Sequence, residues 1–126
     1  MQQSIKNQIK RSERAIKCLN FKSKFYKDAQ LSGISAEEVF EMKSDYLSTS
    51  LSSLSFKRPE KIESDFIWLI TIGILRREVD GQGLTSKVRL TPLGREIIEN
   101  FPHLADQKAL LIERITECIF RKIRLK

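Results

Sequence analysis

The stretch RREVDGQGLTSKVRLTPLGREI, residues 76–97, decides the fold, because DGQGLTSK can be a phosphate-cradling loop or the turn of a β-hairpin. A nucleotide loop needs glycine directly before lysine and a serine or threonine directly after it. Here Ser86 precedes Lys87 and Val88 follows it, so no hydroxyl is placed for magnesium. Gly81 and Gly83 fit neither that spacing nor the GxGxxG dinucleotide pattern. Ser86-Lys87-Val88-Arg89-Leu90 instead alternates polar and apolar, the period of a half-buried strand. Arg77-Glu78-Val79-Asp80 suits a short first strand, and in Asp80-Gly81 the glycine supplies φ > 0 for a hairpin turn. Thr91-Pro92 opens a helix, with threonine as N-cap and proline at the first helical position. The expectation is an antiparallel pairing of 76–80 with 86–91, with Gln82 and Gly83 at the tip.

Around that hairpin the chain reads as helices. Residues 4–28 carry Ile5, Ile9, Ile16 and Leu19 at helical spacing, followed by Phe21, Phe25 and Tyr26, with Lys6, Lys10, Lys17 and Lys24 along one edge. Ser35-Ala-Glu-Glu38 is a capping box for a short helix at 36–43 that buries Val39 and Phe40. The segment LSTSLSSLS, 47–55, has a linker's composition, yet Leu47, Leu51 and Leu54 share one helical face; helix is the favoured reading. After Arg58-Pro59, residues 60–75 are the most apolar segment. Ile62, Phe66, Leu69 and Ile70 fall on one face and Trp68, Ile72 and Leu75 on another. The run exceeds the usual strand length of about 5–6 residues, so it is expected as a central core helix or half of an interface.

The fold class is therefore mostly α with a small β-hairpin (α+β), in one domain over 1–126. It comprises a basic helix at 4–28, a helical core at 35–75, the hairpin at 76–91, and C-terminal helices at 92–101 and 104–124. At 126 residues one core is expected. No run approaches the roughly 18 apolar residues of a membrane span, and the start lacks a signal peptide's apolar core. No membrane partner and a cytoplasmic location are expected. Cys18 and Cys118 form no CxxC and are expected as small buried apolar residues; a bridge between them would need the first and last helices to pack together. A lone histidine, His103 beside Pro102, supports neither a metal site nor a triad and is expected to be solvated. No carboxylate pair is singled out by apolar surroundings. A non-enzyme without cofactors is expected.

WLITIGILRREVDGQGLTSKVRLTPLGREI resembles the helix–wing–helix end of winged-helix proteins. Leu69, Gly73, Ile74, Leu75 and Arg76, then Leu90-Thr91-Pro92-Leu93-Gly94-Arg95, carry the resemblance over about a quarter of the chain. RREVDGQG together with RLTPLGR is also similar to a small uncharacterised cyanobacterial family of winged-helix-like proteins. The resemblance implies a winged helix-turn-helix with long N- and C-terminal helices, and DNA as partner. One departure weighs against the usual groove-reading helix. Its first turn, Glu60-Lys61-Ile62-Glu63-Ser64-Asp65, is acidic, and carboxylates are repelled by phosphates. The groove-reading role is then expected at 45–58, where Ser48, Thr49 and Ser52 can bond phosphate beside Lys57 and Arg58, with Lys87 on the wing; otherwise it is lost.

Charge is divided unevenly. Residues 1–28 hold eight Lys/Arg against Glu13 and Asp28, and residues 114–126 hold five against Glu117. The 85 residues between carry ten against thirteen acids, so the net +7 belongs to the two ends. Basic ends suit nucleic acid or an acidic partner, or are simply solvated. Two functions remain: a winged-helix DNA-binding transcriptional regulator, or a winged-helix protein-interaction module without DNA binding. On the last helix Leu111, Ile115 and Ile119, with Cys118, form an apolar stripe. The stripe is expected to pair two copies in a homodimer; the alternative is that this helix folds back on the first one within a monomer.

Overall fold

The structure is a computed structural model that describes residues 2–48, 58–106 and 111–125, with side chains described over 4–48, 58–105 and 115–123. The described chain is mostly helical with one two-stranded antiparallel hairpin, an α+β arrangement. The expected helix at 4–28 is two helices, α1 (Gln2–Cys18) and α2 (Ser23–Leu31). Between them Phe21 leaves the helical path and forms an isolated bridge with Leu47. Lys22 N–H donates to Tyr46 O at 2.8 Å, and Ser48 N–H to Asn20 O at 2.8 Å. The break carries no Gly or Pro; it is tertiary in origin. Phe21 is buried against Phe25, 4.5 Å between centroids, and Phe66, 5.7 Å, and the backbone turns to place it there.

Ser35 caps α3 (Ala36–Glu41) by accepting from Glu38 N–H at 3.2 Å, and a single turn, α4 (Lys43–Tyr46), follows. The expected helix at 47–55 falls largely on 49–57, outside the described residues. Helix α5 (Pro59–Thr71) is the central helix: Ile62, Phe66 and Leu69 are fully buried, Trp68 nearly so, and Ile70 is half-buried. It ends four residues before the expected 75. Gly73, at φ 91°, lets its N–H reach Ile70 O and lets Ile74 N–H reach Leu69 O, the paired closing bonds of a Schellman motif. The chain then re-aims Ile74 and Leu75 into the core.

Strands β1 (Leu75–Asp80) and β2 (Gly83–Leu90) pair antiparallel from Leu75↔Leu90 to Asp80↔Gly83, with a register irregularity between Arg77 and Val79. Gly81 and Gln82 form the tip. The positive φ expected at Gly81 falls on Gly83 instead, and the Asp80 carboxylate accepts from Gln82 N–H at 2.7 Å. Asp at the first and Gly at the fourth turn position are the preferences of a type I turn. Ile34 adds a third short strand position beside β2, exchanging both backbone bonds with Val88.

Thr91 caps α6 (Pro92–Asn100) as expected, its hydroxyl accepting from Gly94 N–H at 3.0 Å and donating to Ile74 O at 3.0 Å. Gly94 lies against that same carbonyl: a Cβ there would sit 2.5 Å from Ile74 O, so only glycine lets α6 close on the end of α5. A short 3-10 turn, Leu104–Asp106, precedes α7 (Leu111–Leu125), which packs on α1. His103 is exposed, as expected.

Candidate functional site

Of the six residues expected to meet DNA, Thr49, Ser52 and Lys57 lie outside the described residues. Ser48 is half-buried, and its hydroxyl donates to Asn20 O at 3.3 Å. Arg58 is exposed at the N-cap of α5. Lys87 is exposed on β2 with its ammonium 3.7 Å from Glu38, a solvated pair worth at most about 1 kcal/mol. The three described residues therefore lie in three separate places, after α4, before α5 and on β2, and the Ser48 hydroxyl is bonded within the fold.

Most cations of the hairpin beside α5 are paired or bonded within the fold. Glu60 is exposed in the first turn of α5, and Glu63 one turn on forms an ion pair with Arg77 of β1. Arg77 also donates to Ser86 O at 2.9 Å. Arg89 donates to the carbonyls of Gln30 and Leu31 and lies 4.0 Å from Glu78. Of the hairpin's four cations only Arg76 has no acidic partner among these contacts. Three large apolar side chains are also accessible on these elements. Ile67 is exposed on α5, and Val79 and Leu84, cross-strand partners near the hairpin tip, are 63% and 76% exposed.

The other prominent surface is α7, which folds back on α1 while its apolar stripe faces away from that contact. The helix packs on α1 with its polar side. Glu117 is buried, accepting from Trp68 Nε1–H at 2.5 Å and from Arg14 at 3.0 Å. Arg121 donates to Asp65 at 2.9 Å and to Ser64 at 2.8 Å, and the Arg14 guanidinium lies 5.0 Å from the Phe120 ring centre. With those groups inward, Ile115, Ile119 and Ile123 face out at 52%, 53% and 67% exposure. Leu111 begins the helix, but its side chain is outside the described set. Cys118, expected to be buried, is exposed beside the stripe; Cys18 is half-buried, and neither forms a disulfide.

A family model, Npun_F0494-like, matches residues 2–121. The chain belongs to the Npun_F0494-like family. No curated protein and no solved structure matches it. The match runs from α1 to Arg121, so this family's pattern spans the hairpin and the polar seam beneath α7 alike.

Two buried tyrosines are perturbed. Burial, and then the Asp65 charge, push Tyr26 well above the usual phenol range, and its hydroxyl has no hydrogen-bond partner. Burial, followed by the hydroxyl's bond to Asp28 at 2.8 Å, pushes Tyr46 up to about 12. Each is held neutral inside the helical core. Among the described residues no three or more His, Cys, Asp or Glu are grouped to hold a metal ion. Sequence reasoning missed the four residues of the seam, Arg14, Asp65, Glu117 and Arg121. Arg14 and Glu117 are 103 positions apart, and Asp65 and Arg121 are 56 apart, so no local spacing announces either pair.

Proposed function

We propose that this chain is a winged-helix domain acting as a protein-interaction module, a binding protein and not a catalyst. The short bridge of Ile34 to Val88 supports the winged-helix part, because it ties the helices before α5 to the wing and makes one unit of α2, α3, α5 and the hairpin. The observation that carries the interaction reading is the α5–wing face. Three of the wing's four cations, Arg77, Lys87 and Arg89, are answered by Glu63, Glu38 and Glu78, while Ile67, Val79 and Leu84 stand exposed. DNA affinity rests on cations that displace condensed counterions, and neutralised cations displace few. A face with exposed apolar side chains and most of its hairpin cations paired suits a protein surface instead.

A DNA-binding regulator is the second reading, favoured by the exposure of Arg58 at the start of α5 and Lys87 on the wing. Titration of mixed-sequence duplex DNA with the full chain at low salt separates the two. The interaction module gives no saturable binding through this face. Binding that weakens in Arg58→Ala and Lys87→Ala, each lowering the salt slope by about one, establishes the regulator.

A further inference from the structure

The polar seam fixes how α7 is rotated. Because Glu117 is bonded to Trp68 and Arg14, and Arg121 to Asp65 and Ser64, Ile115, Ile119 and Ile123 cannot turn inward without breaking buried charge-assisted bonds. The outward surface is therefore a built feature of the fold. On the adjoining α1, Ile5 is also exposed, 54%, next to exposed Lys6, with Lys10 one turn further on. Lys122 is exposed on α7 between Ile119 and Ile123. Among the described side chains of these two helices no carboxylate is exposed: Glu13 is half-buried and Glu117 buried. Among its described side chains the surface is thus isoleucine-rich, and its exposed charges are positive.

We propose that this α1–α7 surface binds an anionic lipid bilayer, with α7 lying in the plane of the interface. The choice of occupant follows from needing to satisfy both chemistries at once. Nucleic acid would take Lys6, Lys10 and Lys122 but leave the isoleucines in water. A second copy would cover the isoleucines but set the lysines of two basic surfaces against each other. A bilayer with negative headgroups receives the apolar stripe at the acyl boundary and the lysines among the headgroups, as amphipathic interfacial helices do. No described helix is long and apolar enough to cross a membrane, so the attachment is peripheral. This surface is distinct from the α5–wing face, and the proposal stands or falls independently of the partner read there.

Vesicle flotation of the full chain tests it. The protein floats with vesicles of mixed phosphatidylglycerol and phosphatidylcholine and stays in solution with phosphatidylcholine alone. Lys6→Gln, Lys10→Gln and Lys122→Gln, all at exposed positions that leave the fold intact, each lower partitioning about fivefold, and added salt lowers it further. Ile119→Asp lowers it about tenfold or more. Absence of flotation with anionic vesicles overturns the proposal. So does flotation that ignores both headgroup charge and the lysine variants, or that Ile119→Asp leaves unchanged. Sedimentation of a two-chain particle that Ile119→Asp returns to 14.6 kDa, without vesicle binding, assigns the stripe to a second copy instead.

Discussion

Helices α5 and α7 look alike in sequence and end in opposite environments. Each repeats large aliphatic residues at helical spacing, yet Phe66 and Leu69 of α5 are fully buried while Ile119 and Ile123 of α7 are more than half exposed. The difference lies in what each helix must satisfy. Helix α5 is apolar on nearly every side, so any placement in the core buries most of it. Its one buried carboxylate, Asp65, is 1% exposed and needs a cation within reach. Helix α7 supplies that cation in Arg121, and on the same side Glu117 accepts from Trp68 and Arg14. Meeting those polar demands turns the isoleucines outward. An apolar stripe shows that a helix has a sticky face; which face docks depends on the groups it is offered.

The largest expected effect breaks the seam. Arg121→Ala removes the guanidinium 2.9 Å from buried Asp65 and should cost about 3–5 kcal/mol in denaturant unfolding. A loss below about 1 kcal/mol would mean that water reaches Asp65 and that the seam does not hold α7.

Next come paired truncations of the two helices. Leu69→Ala should cost roughly 2–5 kcal/mol, as removal of a buried side chain does. Ile119→Ala should cost no more than about 0.5 kcal/mol in the absence of vesicles. Equal losses would erase the contrast between α5 and α7.

At the junction of α5 and α6, Gly94→Ala drives a methyl to 2.5 Å from the backbone oxygen of Ile74 and should cost about 1–3 kcal/mol. Thr91→Ala, which removes the cap of α6, should cost about 0.5–2 kcal/mol. Melting temperatures of the two variants check both.

The last effect is alkaline. The folded state raises Tyr46 from 10.0 to about 12, so the neutral phenol's contribution is complete below pH 10 and is lost as pH rises through the folded value. Tyr46→Phe should flatten the fall in stability between those limits, and an unchanged slope would remove Tyr46 as its source.

What the sequence made legible is the hairpin and its flanks. Alternation over Ser86–Leu90, the Asp80 turn and the Thr91-Pro92 cap are local signals, each acting within a few residues, and each reappears in the structure. The errors arose where distant groups decide. The break at Phe21 is set by pairing with Leu47 and stacking on Phe66, and the end of α5 was read past Gly73, whose helix-closing role was there to be seen. Of the candidate site, Arg58 and Lys87 are accessible where the spacing implied. Ser48 turns to Asn20, and the stripe of α7 points away from α1 because of a carboxylate on α5.

The central claim, that α7 docks with its polar side in and its isoleucines out, is tested most directly by solvent relaxation of labelled isoleucine methyl groups. With a soluble paramagnetic agent, the methyls of Ile115, Ile119 and Ile123 should broaden strongly while those of Ile16, Ile62 and Ile74 stay sharp. Protection of Ile115, Ile119 and Ile123 in a particle of 14.6 kDa would place the stripe inside the fold and contradict the account.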